Sequence, residues 1–257
     1  MPGVGSEGII PRARVRVPIR ELTGFDEQLV SGEETASAVG LVDAILGGAP
    51  WPQAASLNAH QRDLLLGHLY RATFGDRIRK TATCAACGKP YDVDFPLGDL
   101  MSGAVVPDPS AAADNGDGTY TIEGGGRFRL PATEDELAVA GLSAPEGARE
   151  LLRRCTIEPG DAVAIETAME RLAPILSLQL ASECPECGTP QSVEFDLQRH
   201  FLAAVLSERR QTTLEIHRIA LAYRWSMNEI LGLPRSQRQS YYRLIDSERD
   251  ARGMRER

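Results

Sequence analysis

Two Cys-x-x-Cys pairs, Cys84/Cys87 and Cys184/Cys187, stand a hundred positions apart, and the residues after them match well beyond the cysteines. Cys84-Ala-Ala-Cys87-Gly-Lys-Pro-Tyr-Asp-Val-Asp-Phe-Pro-Leu97 aligns with Cys184-Pro-Glu-Cys187-Gly-Thr-Pro-Gln-Ser-Val-Glu-Phe-Asp-Leu197, sharing Cys, Cys, Gly, Pro, Val, Phe and Leu. Two intervening residues let the chain turn so that both thiolates of a pair reach one ion about 2.3 Å away. Two such pairs complete a closed tetrahedral Zn(II) shell. The expectation is one structural zinc ion per chain, held by Cys84, Cys87, Cys184 and Cys187. Gly88 and Gly188 fall where a metal knuckle commonly needs positive φ, which glycine adopts without steric cost.

Other readings of these cysteines are a degenerate site without metal, a redox pair and a disulfide framework. A redox Cys-x-x-Cys opens a helix after a strand, a setting neither pair has. Disulfide frameworks belong mainly to small secreted chains, and no signal peptide is read here. Cys155, in the helical pattern Leu151-Leu152-Arg-Arg-Cys155, reads as a small buried residue.

Past each knuckle the apolar residues alternate: Val93, Phe95 and Leu97 in the first copy, Val193, Phe195 and Leu197 in the second. Period two predicts strands with one apolar face, with residues 78–83 and 178–183 supplying the first strand of each hairpin. About a hundred residues separate the pairs, far more than in an ordinary zinc ribbon. Loop closure grows only with the logarithm of length, so two extra doublings cost about 1.2 kcal/mol. Structural zinc in small domains contributes about 10 kcal/mol at neutral pH, so binding wins if the intervening segment folds.

The predicted fold class is therefore α+β: helical N- and C-terminal units around a zinc-ribbon-like pair of β-hairpins, with a hairpin-plus-helix insert between the knuckles. Residues 1–20, with alternating Val and Arg and three prolines, read as an extended arm that orders against a partner. Residues 21–76 read as a helical unit, with Thr23 and Asn58 as caps and Gly47-Gly48 as a stop. The paired knuckle hairpins occupy 77–100 and 177–198. The insert, 101–176, is expected to contain strands 119–122 and 127–130 around Gly124-Gly-Gly126, then helices at 133–140, 145–155 and 162–173. The C-terminal unit, 199–257, is expected to continue a long helix from 198 to about 223, then a short helix capped by Ser226 and a last helix opened by Pro234.

Hydrophobic content of 42% with 25% charged residues is that of a globular chain. The formal charge of −8 argues against a dedicated nucleic-acid binder, and no apolar run approaches the roughly 18 residues of a membrane span, so a soluble, cytoplasmic protein is expected. His60, His68, His200 and His217 are scattered, read as surface or interface side chains, and form no nucleophile motif, so an enzyme is the weaker class of explanation. Residues 199–257 carry twelve arginines against seven acids on an otherwise acidic chain. Tyr223, Trp225, Arg235, Arg238 and Tyr241 combine the aromatic and arginine residues typical of interface hot spots and are the candidate partner-binding residues; the plainer reading is a solvated helix surface, and Trp225 reads equally as a core residue anchoring the helix turn. The competing class is a zinc-ribbon nucleic-acid-binding or transcription-associated protein; a thiol redox sensor is a third.

The run His217-x-x-Ala220-x-x-Tyr223-Arg-Trp-Ser226-x-x-Glu229-Ile-Leu231-x-Leu233-Pro-Arg235-x-x-Arg238-x-x-Tyr241-x-x-Leu244 resembles the C-terminal signature of the T4-type baseplate hub assembly chaperone family. That family accompanies contractile phage tails and related contractile injection systems. The similarity extends to Leu22-Thr-Gly24 with Glu27 and Leu29, to Thr73-Phe-Gly-Asp76, to both knuckles and to Arg129-Leu-Pro131. The resemblance implies a non-enzymatic assembly factor or minor baseplate subunit. Its partners would be hub, spike or wedge proteins, with no small-molecule substrate. It would act in the cytoplasm during assembly, with retention in the finished particle left open.

Overall fold

The computed structural model describes residues 7–10, 15–47, 52–103 and 105–255. The chain is mixed α+β with small sheets. Strands β1 (Glu7–Ile10) and β2 (Val15–Pro18) pair antiparallel, with Glu7 opposite Pro18. The residues expected to form an extended arm thus include a hairpin. Val17 is fully buried in the main core, which makes this part of the arm a component of the body. Residues 1–6 and 11–14 of that arm lie outside the described residues.

Helix α1 (Gly24–Leu29) begins at a capping box: the Thr23 hydroxyl accepts from the Asp26 N–H, and the Asp26 carboxylate accepts from the Thr23 N–H at 2.8 Å. Helix α2 (Thr35–Leu46) stops at Gly47, whose φ of +66° is the left-handed conformation that ends a helix. Helix α3 (Ala59–Phe74) starts at Asn58, which exchanges reciprocal bonds of 2.9 and 3.1 Å with Gln61. Strands β3 (Arg77–Thr83) and β4 (Pro90–Pro96) form the first knuckle hairpin and lead into helix α4 (Leu97–Gly103).

The insert holds a four-stranded antiparallel sheet in the order β5 (Ala113–Asp114), β6 (Thr119–Thr121), β7 (Arg127–Arg129), β8 (Thr156–Glu158). Only β6 and β7 were expected, from the Asp117-Gly118 and Gly124-Gly-Gly126 turns before them; β5 and β8 were not. Helices α5 (Thr133–Val139), α6 (Ala144–Cys155) and α7 (Ala162–Leu172) lie where helical spacing predicts them. Phe128, Ile165, Ala168 and Leu172 centre a small core of the insert's own. The insert is fastened to the start of α3 at two places, at Thr133 in its middle and at its C-terminal end. Thr133 donates its N–H and hydroxyl to the Leu57 carbonyl at 2.7 Å, and the buried Arg62 bonds the Thr133 hydroxyl at 2.8 Å. At the C-terminal end of the insert, His60 Nδ1 lies 2.7 Å from the Pro174 carbonyl, and Asp63 accepts the Leu176 N–H at 2.8 Å.

The second hairpin, β9 (Ser177–Glu183) and β10 (Pro190–Asp196), repeats the first with the same register: Arg77 faces Pro96 and Ser177 faces Asp196. It leads into α8 (Leu197–Ser207). The long helix expected over 198–223 is broken at Glu208, and α9 (Arg209–Tyr223) starts afresh. Residues 207–213 carry no apolar side chain, so nothing holds a single stripe through that point. Helix α10 (Met227–Leu231), capped by Ser226 and Glu229, and α11 (Arg235–Arg255) complete the chain. The main core draws on β2, α2, α3, the bases of both hairpins and α8.

Residues 21–27 clamp the C-terminal unit. The Glu21 carboxylate accepts the Ser236 N–H and hydroxyl at 2.5 and 2.6 Å, and the Arg235 N–H donates to the Leu22 carbonyl at 2.9 Å. Arg238, 1% exposed, places its Nη2 2.8 and 2.7 Å from the Glu27 carboxylate and its Nε 2.7 Å from Glu215. Gly24 stands so close that a Cβ there would lie 2.6 Å from a Leu231 methyl and 3.1 Å from Arg238 Nη1. Arg238 was expected to contact a partner; it is instead an internal strut, one cation between two carboxylates from α1 and α9. Removing it leaves two buried anions uncompensated, so Arg238→Ala should cost about 3–5 kcal/mol of unfolding free energy in a urea titration. A loss under about 1 kcal/mol would contradict the strut.

Candidate metal centre

Each knuckle is built by the same backbone bonds. The Gly88 and Gly188 N–H groups donate to the Cys84 and Cys184 carbonyls at 2.9 Å, and both glycines have left-handed φ, +71° and +69°. The Cys84 N–H donates to the Lys89 carbonyl at 3.0 Å, and the Cys184 N–H to that of Thr189 at 3.1 Å. These turns aim the two sulfurs of each pair the same way.

The hairpins then meet face to face. Tyr91 and Ser182 hydroxyls lie 2.8 Å apart, Lys89 pairs with Glu186 at 2.7 Å, and Lys80 donates to the Glu194 carbonyl. Phe95 and Phe195, equivalent positions of the repeat, pack edge to face with centroids 5.2 Å apart. At the tips, Cys84 Sγ lies 3.7 Å from Cys187 Sγ, and Cys87 Sγ 3.8 Å from Cys184 Sγ; all four sulfurs lie within 4.8 Å of one another. None is in a disulfide. Cys84 and Cys184 are buried with Tyr91 and Val193 in a small cluster, while Cys87 and Cys187 face outward.

This arrangement offers a metal ion four soft donors. The Thr189 hydroxyl and amide hold the Cys187 thiol down at about 6. The Lys89 amide favours the Cys87 thiolate, but burial and the three neighbouring sulfurs push that thiol up to about 11. A bound cation favours the thiolate over the thiol at each of its ligands.

The other expected site residues do not form one surface. Arg238 is enclosed as described. Arg235 has only 14% of its side chain exposed: its guanidinium sits 4.7 Å over the Phe74 ring and pairs with Glu208 at 3.0 Å. Tyr223, Trp225 and Tyr241 do come together, with ring centroids 5.1 to 5.5 Å apart, and each is half-buried. Arg224 makes this possible by taking a left-handed φ of +61°, which turns Trp225 back onto Tyr223. Leu221, Met227 and Leu244 in the same unit are exposed. His60 is buried, a correction to its expected surface position, and its Nδ1 is taken up by the Pro174 carbonyl. Cys155 is fully buried, and burial pushes its thiol up to about 11. Among the described residues no helix is long and apolar enough to cross a membrane.

Because the main core is separate from the cysteine cluster, metal removal should loosen the hairpin tips while the helical body persists. With a chelator, amide exchange should quicken at 82–93 and 182–193, with helical circular dichroism retained; unchanged exchange there would contradict a metal clasp. Comparison with protein-family models, with curated proteins and with solved structures finds no match to this chain.

Proposed function

We propose that this protein is a zinc-clasped, non-enzymatic docking protein that serves contractile-tail or injection-system baseplate assembly. The zinc identity is supported by the sulfur spacing. A regular tetrahedron with metal–sulfur bonds of about 2.3 Å has edges of about 3.8 Å, against 3.7 and 3.8 Å for two cross-hairpin pairs and no more than 4.8 Å for any pair. Four thiolates without a water-binding vacancy make a structural rather than a catalytic centre. The proposed stoichiometry is one ion per chain, since each chain supplies all four ligands.

The docking reading is carried by the C-terminal unit. The Tyr223, Trp225 and Tyr241 stack is rigid, amphipathic and half-exposed, and exposed Leu221, Met227 and Leu244 share its unit. Half-exposed aromatic rings in a unit that also exposes apolar side chains have the composition of an interface hot spot. The baseplate assignment rests on the sequence resemblance, whose separated pieces the fold juxtaposes: Leu22, Gly24 and Glu27 lie against Leu231, Arg235 and Arg238. Within this reading, Arg235 and Arg238 shape the surface from inside, and the aromatic triad contacts hub, spike or wedge proteins during assembly in the cytoplasm.

Co-expression with hub, spike and wedge proteins of a contractile tail tests the reading. Met227→Glu/Leu244→Glu changes only exposed positions and should lower co-purification at least about tenfold with the thermal midpoint unchanged. Equal recovery of the folded double variant would remove this surface from the docking role.

A further inference from the structure

A cleft of about 730 Å³ opens where the insert meets the helical body, within the size range of ligand sites. Leu151 of α6 and Ile175 line it; Ile175 is 45% exposed and belongs to no apolar core among the described residues. Glu166 and Glu170, one turn apart on α7, line the same cleft and make no ion pair or hydrogen bond among the described residues. The most enclosed carboxylate is Asp63, 7% exposed. Its Oδ2 accepts the Leu176 N–H, and its Oδ1 has no partner among the described residues. Neighbouring Arg62 does not neutralise it, because that guanidinium pairs with Glu136 at 2.8 Å and bonds Thr133, leaving its buried Nε without a partner. Burial pushes the Asp63 carboxyl up to about 7 against the Leu176 hydrogen bond and Arg62, with Asp196 and Glu136 adding to the rise. The cleft therefore pairs uncovered apolar walls with an enclosed carboxyl, Asp63, and two exposed glutamates that make no ion pair among the described residues.

We propose that this cleft docks a basic segment of a partner protein: a lysine or arginine side chain lays its stem on Leu151 and Ile175 and brings its cation to Asp63. Glu166 and Glu170 meet flanking positive charge. Charge complementarity selects the occupant: Glu166 and Glu170 repel an anionic segment, and an incoming cation favours the ionised form of Asp63 that burial opposes. Long basic side chains suit such a site because an apolar stem and a charged head travel together. A polypeptide fits better than a lone amine because the carboxylates are spread over α3 and two positions of α7. The cleft lies on different elements from the aromatic surface of α9–α11, so either site can fail without the other.

Selection of random twelve-residue displayed peptides on the full-length, metal-loaded protein tests the proposal. Enriched peptides should carry lysine or arginine flanked by apolar residues. A synthetic peptide of the enriched sequence should bind at least about tenfold more weakly to Asp63→Asn, which keeps an oxygen for the Leu176 N–H, and to Glu166→Gln/Glu170→Gln at exposed positions. Metal content and thermal midpoint report that each variant is folded. No enrichment, enrichment of neutral or acidic peptides, or equal binding to both folded variants overturns the proposal. So does binding of cadaverine or agmatine without any peptide enrichment, which assigns the cleft to small free cations.

Discussion

Sulfur atoms from residues 97 and 103 positions apart in the chain lie 3.8 and 3.7 Å from each other, and the architecture is arranged around that convergence. Each hairpin alone is a two-stranded ribbon, which is marginal in water. Joined tip to tip by four sulfurs and side to side by Phe95 against Phe195, the two become one unit closing the loop that contains the insert. The closure does not depend on sulfur alone. Leu97 and Leu197, fully buried at the hairpin bases, root both copies in the main core, so a metal ion would act on strands already held near their final places.

Two polar arrangements do comparable joining elsewhere. At the start of α3, His60, Arg62 and Asp63 hold the insert at Pro174, Thr133 and Leu176. At the far end of the body, Glu27, Arg238 and Glu215 tie α1 to α9 and α11. Burying these groups costs desolvation, and partners within hydrogen-bond distance offset it. What they add is specificity: carboxylates and guanidinium meet in one geometry, whereas apolar faces slide. The aromatic stack of Tyr223, Trp225 and Tyr241 is presented by a unit fixed in this way.

Much of this was legible in the sequence because it is local. Cys-x-x-Cys-Gly, the period-two strands after it and the reciprocal caps at Asn58/Gln61 and Ser226/Glu229 depend on residues within a few positions of one another. What depended on distant partners was not legible. Arg238 lies in a helix with surface arginines, and only the arrival of Glu27, 211 positions away, makes it internal. Arg235 is covered by Phe74 and Glu208 in the same manner. The break between α8 and α9 did leave a trace, the apolar gap at 207–213, but Arg209-Arg210-Gln211 within it reads equally as the wet side of one continuous helix. Asp63 sits beside the apolar run Leu64–Leu66, and its enclosure follows from a contact with Leu176 that no local pattern encodes.

The clasp is the claim on which the rest stands, and X-ray absorption at the metal edge of the purified protein examines it most directly. The expected result is one zinc per chain, surrounded by four sulfurs at about 2.3 Å. A first shell containing nitrogen or oxygen, or half an ion per chain with cysteines drawn from two molecules, would contradict a metal that joins distant parts of a single chain.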